Sequence, residues 1–208
     1  MRRPGAYRRP LHAPTVTELT ASLVQRARDG DDAASRTIVE ELQRPVIATI
    51  FRFLGPAWRR EVEDIAQEVF LKVFRALPMF DASRAKFTTW VYTFVRNHCY
   101  DVLKRRRLPT TSLQAVPDGE PARDVTDRRE LQPVASYENQ ELGRRIAEAL
   151  GTLGEDQRMA FVLREYENLD YQEIANITGV NEGTVKSRLF RAKEALRAQL
   201  EPWLKAGA

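Results

Sequence analysis

Residues 169–197 read LDYQEIANITGVNEGTVKSRLFRAKEALR, and this stretch decides the fold. Tyr171 to Ile177 is a short amphipathic run with Ile174, Ala175 and Ile177 as its inward face. Thr178-Gly179 breaks it, and Gly179 suits a left-handed C-cap. Asn181 is a good N-cap for the run that follows. There Val185, Leu189, Ala192 and Leu196 recur at helical spacing as one apolar stripe, with Lys186, Arg188, Arg191 and Lys193 off it. Gly183-Thr184 opens the second helix with small residues, so its first turn can approach a surface closely. This is the pattern of a helix-turn-helix, whose second helix enters a DNA major groove N-terminus first.

Upstream of that motif, two more helical patterns complete a bundle. Leu142, Ile146, Ala149-Leu150 and Leu153 form one apolar stripe, and Met159, Phe161 to Leu163 and Tyr166 form the next. Before them, 108–136 reads as a flexible linker with Pro109, Pro117, Gly119, Pro121 and Pro133 and no helical period. Its centre is acidic: Asp118, Glu120, Asp124, Asp127 and Glu130 face only Arg123, Arg128 and Arg129. So long a structureless segment is unusual inside one compact domain, so two domains are expected.

The first domain shows four helices. Leu19, Leu23, Val24 and Ala27 mark the first, and Asp29-Gly30-Asp31 ends it. Asp31 or Asp32 caps the second, which runs through Ile38, Leu42, Val46, Ile50 and Phe53, is expected to kink at Pro45, and stops at Gly55-Pro56. The third, EVEDIAQEVFLKVFRAL (61–77), opposes a broad apolar face to Glu61, Asp64, Gln67, Glu68, Lys72 and Arg75. Pro78 to Lys86 is a loop in which Phe80 looks exposed. The fourth, FTTWVYTFVRNHCYDVLKRRR (87–107), sets Trp90, Val91, Phe94, Val95 and Cys99 inward and Arg96, Asn97, Tyr100 and Lys104 on other faces. Bases interleaved with rings and amides suit melted nucleic acid. A solvated basic helix end, favoured by the helix dipole, would read the same way.

The expected fold is therefore all-α: two small helical domains of four helices each, joined by a flexible linker, the second ending in a helix-turn-helix. The expected boundaries are a disordered basic tail at 1–14, a first domain at 15–107, the linker at 108–136 and a second domain at 137–204.

The inventory argues against an enzyme. His12 and His98 are the only histidines; His98-Cys99 are adjacent on a helix and diverge by about 100°. No phosphate-cradling glycine loop is present, and no cofactor or metal is expected. The single cysteine allows no internal disulfide and fits a reducing cytoplasm. No apolar run approaches the roughly 20 residues that span a bilayer, so no membrane insertion is expected. A net charge of +4 over 208 residues suits a polyanion partner.

Several segments together resemble the extracytoplasmic-function (ECF) subgroup of bacterial sigma-70-type sigma factors. DIAQEVFLKVFRALPMFD (64–81) resembles the family signature D-x-x-Q-E-x-F-x-K-x-F/Y-R-x-L. The fourth helix resembles F-x-T-W-L-x-x-I-x-x-N-x-x-x-D, and 153–196 resembles a pattern that opens on L-P-x-x-x-R and continues through Y-x-E-I-A and G-T-V-K/R-S-R. Gly154 stands where the family usually has proline, and Pro78 is unusual in its loop.

The resemblance implies a non-catalytic promoter-specificity subunit in the bacterial cytoplasm. Its first domain would bind core RNA polymerase through Asp64, Gln67, Glu68 and Lys72. The same domain would read the minus-ten element, as a melted non-template strand, with Phe80, Arg96, Asn97, Tyr100, Asp101, Lys104 and Arg105. The second would read the minus-thirty-five duplex with Asn181, Glu182, Thr184, Lys186, Ser187, Arg188 and Arg191. The family also implies stress or envelope control by an anti-sigma protein and a monomer outside the holoenzyme. Two alternatives stand beside this reading: a stand-alone helix-turn-helix regulator, and a helical module that binds only protein. The first would need a dimerisation helix or ligand domain, which the sequence does not show.

Overall fold

In a computed structural model, residues 21–107 and 137–206 are described. Among the described residues, eight α-helices in chain order form two groups of four. The first group is α1 (Ala21–Arg28), α2 (Asp32–Leu54), α3 (Val62–Ala76) and α4 (Phe87–Arg107). The second is α5 (Tyr137–Thr152), α6 (Glu155–Glu165), α7 (Tyr171–Thr178) and α8 (Glu182–Ala206). Short 3-10 turns follow α2 and α3, and no strand occurs among the described residues. The tail, the start of the first helix before residue 21 and the linker lie outside the described residues.

Local chemistry sets the boundaries. Asp31 caps α2 by accepting from the amides of Ala33 and Ala34. Gly55, at φ 91°, ends α2, a backbone angle that side chains disfavour. Pro45 sits inside α2, and the helix is continuous across it. Asp170 and Glu173 form a reciprocal capping box at the start of α7. Gly179, at φ 69° and ψ 29°, closes α7 as the left-handed cap.

α2 is the spine of the first bundle: Ile38, Ile50 and Phe53 are fully buried, and it packs on α1, α3 and α4. In the second bundle α8 packs on α5, α6 and α7. The sequence leads to two units, and both are present; the structure adds that they are not separate bodies. α2 lies against α5 and α6, α4 lies against α7, and one core runs from Val24 through Cys99 to Met159, Ile174 and Leu189. A smaller core of Ala149, Leu150, Leu153, Ala192 and Leu196 seals α5 to α8. Among the described residues, no helix is long and apolar enough to cross a membrane.

Candidate polymerase and nucleic-acid interfaces

α3 buries Val62, Ile65, Ala66, Val69, Phe70 and Val73. That leaves Asp64, Gln67 and Glu68 exposed and Lys72 half-buried along the opposite stripe. Leu71 shares the stripe at helical spacing and is 57% exposed, an apolar centre that the sequence pattern did not single out. Beneath it lies His98, from α4, which is 1% exposed. The Lys72 ammonium donates to His98 Nδ1 at 2.7 Å, so that nitrogen is unprotonated. Nε2 then carries the proton, and Glu68 Oε2 stands 3.2 Å away but out of line for a hydrogen bond. Burial first, and then the Lys72 charge, holds His98 below its ordinary range. His98 therefore braces the α3 face from below. Cys99 faces away into the core, where burial pushes its thiol up to about 12.

Phe80 departs from expectation. It is 6% exposed, not a free aromatic, because the loop turns it in against Phe87 and Trp90 at centroid distances of 5.2 and 5.1 Å. Trp90 continues the cluster to Phe94 at 4.8 Å. The sequence missed this because Phe80 has no periodic partner within its own loop; its partners come from the first turn of α4. Its edge still lines a cleft of about 570 Å³, walled by α1 and the loop, with Arg28, Lys86, Phe87 and Thr88 at its rim. Rings and two cations around a cavity are suited to holding one flat, anion-linked group.

The remaining first-bundle candidates divide along α4. Asn97, Asp101, Lys104 and Arg105 are exposed. Asn97 Oδ1 accepts from Arg96 at 2.8 Å, which orients its amide. The Arg96 guanidinium lies 4.6 Å over the Tyr100 ring, and Tyr100 stacks on Phe53 at 5.3 Å. Tyr100 therefore leans toward the second bundle, and its hydroxyl donates to Asp156.

On α8, Asn181 Oδ1 accepts from the Thr184 amide at 2.8 Å and from its hydroxyl at 3.1 Å. Asn181 and Thr184 are thus committed to the cap. A side chain at Gly183 would place its Cβ 3.3 Å from that Oδ1, so glycine keeps the cap intact. Lys186, Ser187 and Arg191 project into solvent, whereas Glu182 is half-buried and 3.5 Å from Lys186. Arg188 is turned inward and pairs with Asp156. Among the described residues, no cluster of His, Cys, Asp and Glu could hold a metal ion.

The comparisons with known proteins follow this division. The family described as Sigma-70 region 2 matches residues 38–108, spanning α2 to α4, and Sigma-70, region 4 matches residues 143–196, spanning α5 to α8. The ECF RNA polymerase sigma-E factor of Escherichia coli (strain K12) is 34% identical over 189 residues, 88% of this chain and 95% of that protein. The RNA polymerase sigma-H factor of Pseudomonas aeruginosa is 35% identical over 196 residues, 90% of this chain and 97% of that one. Two solved structures share the fold. CnrH in complex with the cytosolic domain of CnrY has a TM-score of 0.64 at 23% identity, covering 87% of this chain and 96% of that chain. The sigma factor RpoE in complex with the anti-sigma factor NepR from Bartonella quintana has 0.62 at 22%, covering 80% and 96%. Two sigma regions in this order disfavour a stand-alone helix-turn-helix regulator. The chain belongs to the ECF subgroup of the sigma-70 family, non-enzymatic factors of transcription initiation.

Proposed function

We propose that this chain binds core RNA polymerase and directs it to promoters, with a division of labour between its bundles. The observation that carries the reading is the pairing, in one chain, of a ring-lined cationic cleft with an exposed, capped recognition helix. The α3 stripe of Asp64, Gln67, Glu68 and Lys72 docks on the polymerase, with Leu71 as the apolar centre of the contact. Interfaces of this kind draw their energy from a desolvated centre inside a polar rim.

The cleft beside Phe80 and the α4 residues Arg96, Asn97, Tyr100, Asp101, Lys104 and Arg105 read the minus-ten element once it is single-stranded. Asn97 has an amide to pair with a base edge, and the cations neutralise phosphates. Unstacking a base costs a few kcal/mol, so a preformed cleft stabilises melted DNA without catalysis. In α8, Lys186, Ser187 and Arg191 reach the minus-thirty-five duplex, and Glu182 can accept from a cytosine amino group. Asn181 and Thr184 fix the first turn that enters the groove. The same reading gives a bacterial cytoplasmic setting, domain boundaries at 15–107 and 137–204, and regulation by an anti-sigma protein, a reading supported by the RpoE structure from Bartonella quintana, which is a complex with the anti-sigma factor NepR.

The test is reconstitution. Purified chain, core polymerase and a library of genomic fragments should yield transcripts that start at a shared pair of sequence elements. Absence of any chain-dependent transcript, with no co-purification with core, would sink the reading.

A further inference from the structure

The proposed polymerase-docking stripe of α3 rests on a buried titratable ring. His98 is 1% exposed, and both of its nitrogens point at residues of that stripe. Nδ1 accepts from the Lys72 ammonium at 2.7 Å, and Nε2 stands 3.2 Å from Glu68 Oε2. Glu68 and Lys72 are neighbours one turn apart on α3, so the ring bridges them from below. The two contacts differ in kind. The first is a hydrogen bond that exists only while Nδ1 carries no proton. The second falls short of one, because the buried Nε2 has no acceptor in line. The Glu68 side chain is 57% exposed, so its carboxylate has room to turn toward the ring or away from it.

The other charges around the ring do not take over either role. Asp64 and Arg75, further along α3, are exposed. Asp101 and Arg105, on α4, are exposed and act on the ring in opposite senses. On α2, which also packs on α4, Asp32, Arg36, Glu40, Glu41 and Arg44 are exposed, and Arg52 pairs with Glu167. Glu167, Asp156 and Glu173 of the second bundle meet Tyr92, Tyr100 and Thr89, at least about 120° round α4 from His98.

We infer that His98 is a positioning residue of the docking stripe that makes polymerase binding depend on protonation: the neutral ring holds Lys72 and leaves Glu68 at the surface, and the charged ring releases Lys72 and draws Glu68 inward. The inference rests on the docking role proposed above for α3. A proton on Nδ1 removes the acceptor that Lys72 uses and sets two cations side by side, so the ammonium swings out. It also makes Nε2–H a charged donor, with the Glu68 carboxylate as the acceptor at hand. The stripe then offers the polymerase a loose cation in place of a fixed one, and one carboxylate fewer. Conversely, a polymerase contact that keeps Glu68 outward takes away the counter-charge of the imidazolium. Docking and protonation therefore oppose each other, and by linkage each weakens the other by the same factor. Burial first, and then the Lys72 charge, hold the ring below its ordinary range. The ring is thus neutral and the stripe competent at neutral pH, and binding is lost on the acid side. One proton is involved, so affinity falls by at most about tenfold per pH unit.

The test measures binding of the full chain to core polymerase from about pH 7.5 down to about pH 5. The same core preparation serves every variant, so titration of the polymerase cancels in the ratio. His98→Asn keeps an oxygen near the place of Nδ1 and cannot charge. Across that range the affinity of the parent should fall about fivefold or more relative to the His98→Asn chain. Glu68→Gln removes the charge that a protonated ring attracts. It should dock more weakly at neutral pH and lose the same pH dependence. In parallel, the His98 ring resonance is titrated by NMR in the free chain, with His12→Gln to remove the signal of the other histidine. His98 should titrate below the ordinary histidine range, and lower still in Glu68→Gln. Matching pH profiles for the parent and both variants, or a His98 resonance indifferent to Glu68→Gln, would overturn the inference. Should circular dichroism show His98→Asn unfolded, the Glu68→Gln profile and the resonance decide. Failure of the parent to bind core at neutral pH would instead refute the docking role of α3, and the inference with it.

Discussion

The candidate cleft of the first bundle is lined with rings, whereas the candidate face of α8 in the second carries cations and small polar groups. Phe80, Phe87, Trp90 and Phe94 form a continuous aromatic cluster beside the cleft, largely withdrawn from solvent. Lys186, Ser187 and Arg191 are exposed side chains on the face of a single helix, α8. The difference follows from the state of the DNA each would read. A duplex offers its base edges in a groove, so a protruding helix with open side chains suffices. A melted strand offers faces as well as edges, and these need a concave, apolar-walled receiver. The proposed melted-strand cleft therefore backs onto its bundle's core, and the proposed duplex contacts stand on the open face of α8.

That contrast breaks first under loss of a ring. Phe87→Ala should cost about 3–5 kcal/mol of folding stability by chemical denaturation, because a 6%-exposed ring shared by two neighbours leaves a void. An equally large loss from an exposed α8 residue such as Arg191→Ala would contradict it. Next in size is the split within the first bundle. Asn97→Ala should weaken promoter opening roughly tenfold or more, about 1–3 kcal/mol, while sparing core binding. Asp64→Ala or Gln67→Ala should do the reverse. Parallel losses in permanganate footprinting and in core co-purification would erase the distinction between the α3 and α4 faces.

The second bundle should yield smaller effects. Asp170→Ala removes the capping box before α7 and should cost about 1 kcal/mol, read as a lower melting temperature. Lys186→Ala and Arg191→Ala should each reduce the slope of log affinity against log salt by about 1 on duplex DNA. An unchanged slope would remove those residues from the phosphate-contact set.

The smallest effect concerns pH. His98 is depressed in the fold, so its neutral form contributes stability in full above about pH 6.5, the unfolded value. That contribution is lost as pH falls through the lower folded value, where the native ring must charge. His98→Gln should flatten this part of the stability curve between pH 7 and 5, and an unchanged curve would show that His98 does not titrate with unfolding.

Much of the site was legible before any coordinates. The α8 helix and its cap were readable because Gly179, Asn181 and the Val185–Leu196 stripe are local signals, each set within one or two turns, whereas the inward turn of Arg188 toward Asp156 was not. The α3 face was legible for the same reason. Phe80 was misread because its burial depends on residues beyond its own loop. His98 stands in the sequence only beside Cys99 with no partner near it, and its support of Lys72 emerges only when α3 and α4 are packed together. Asp156 carried no signal, since an acid in the first turn of a helix is ordinary on grounds of helix electrostatics, and Glu167 carried none because Thr49, Tyr92 and Arg52 are distant from it in the chain.

By itself, the sequence determined the helices, their caps, their apolar faces and the family. These rest on periodicities of three to four residues and on motifs contiguous in the chain. The tertiary structure alone decided that the two bundles share a core, that Phe80 is a wall and not a probe, and that Arg188 and Tyr100 meet on one carboxylate. The physical reason is range. A hydrogen bond between residues 100 and 156 depends on how two helical surfaces fit, and no local pattern encodes that fit.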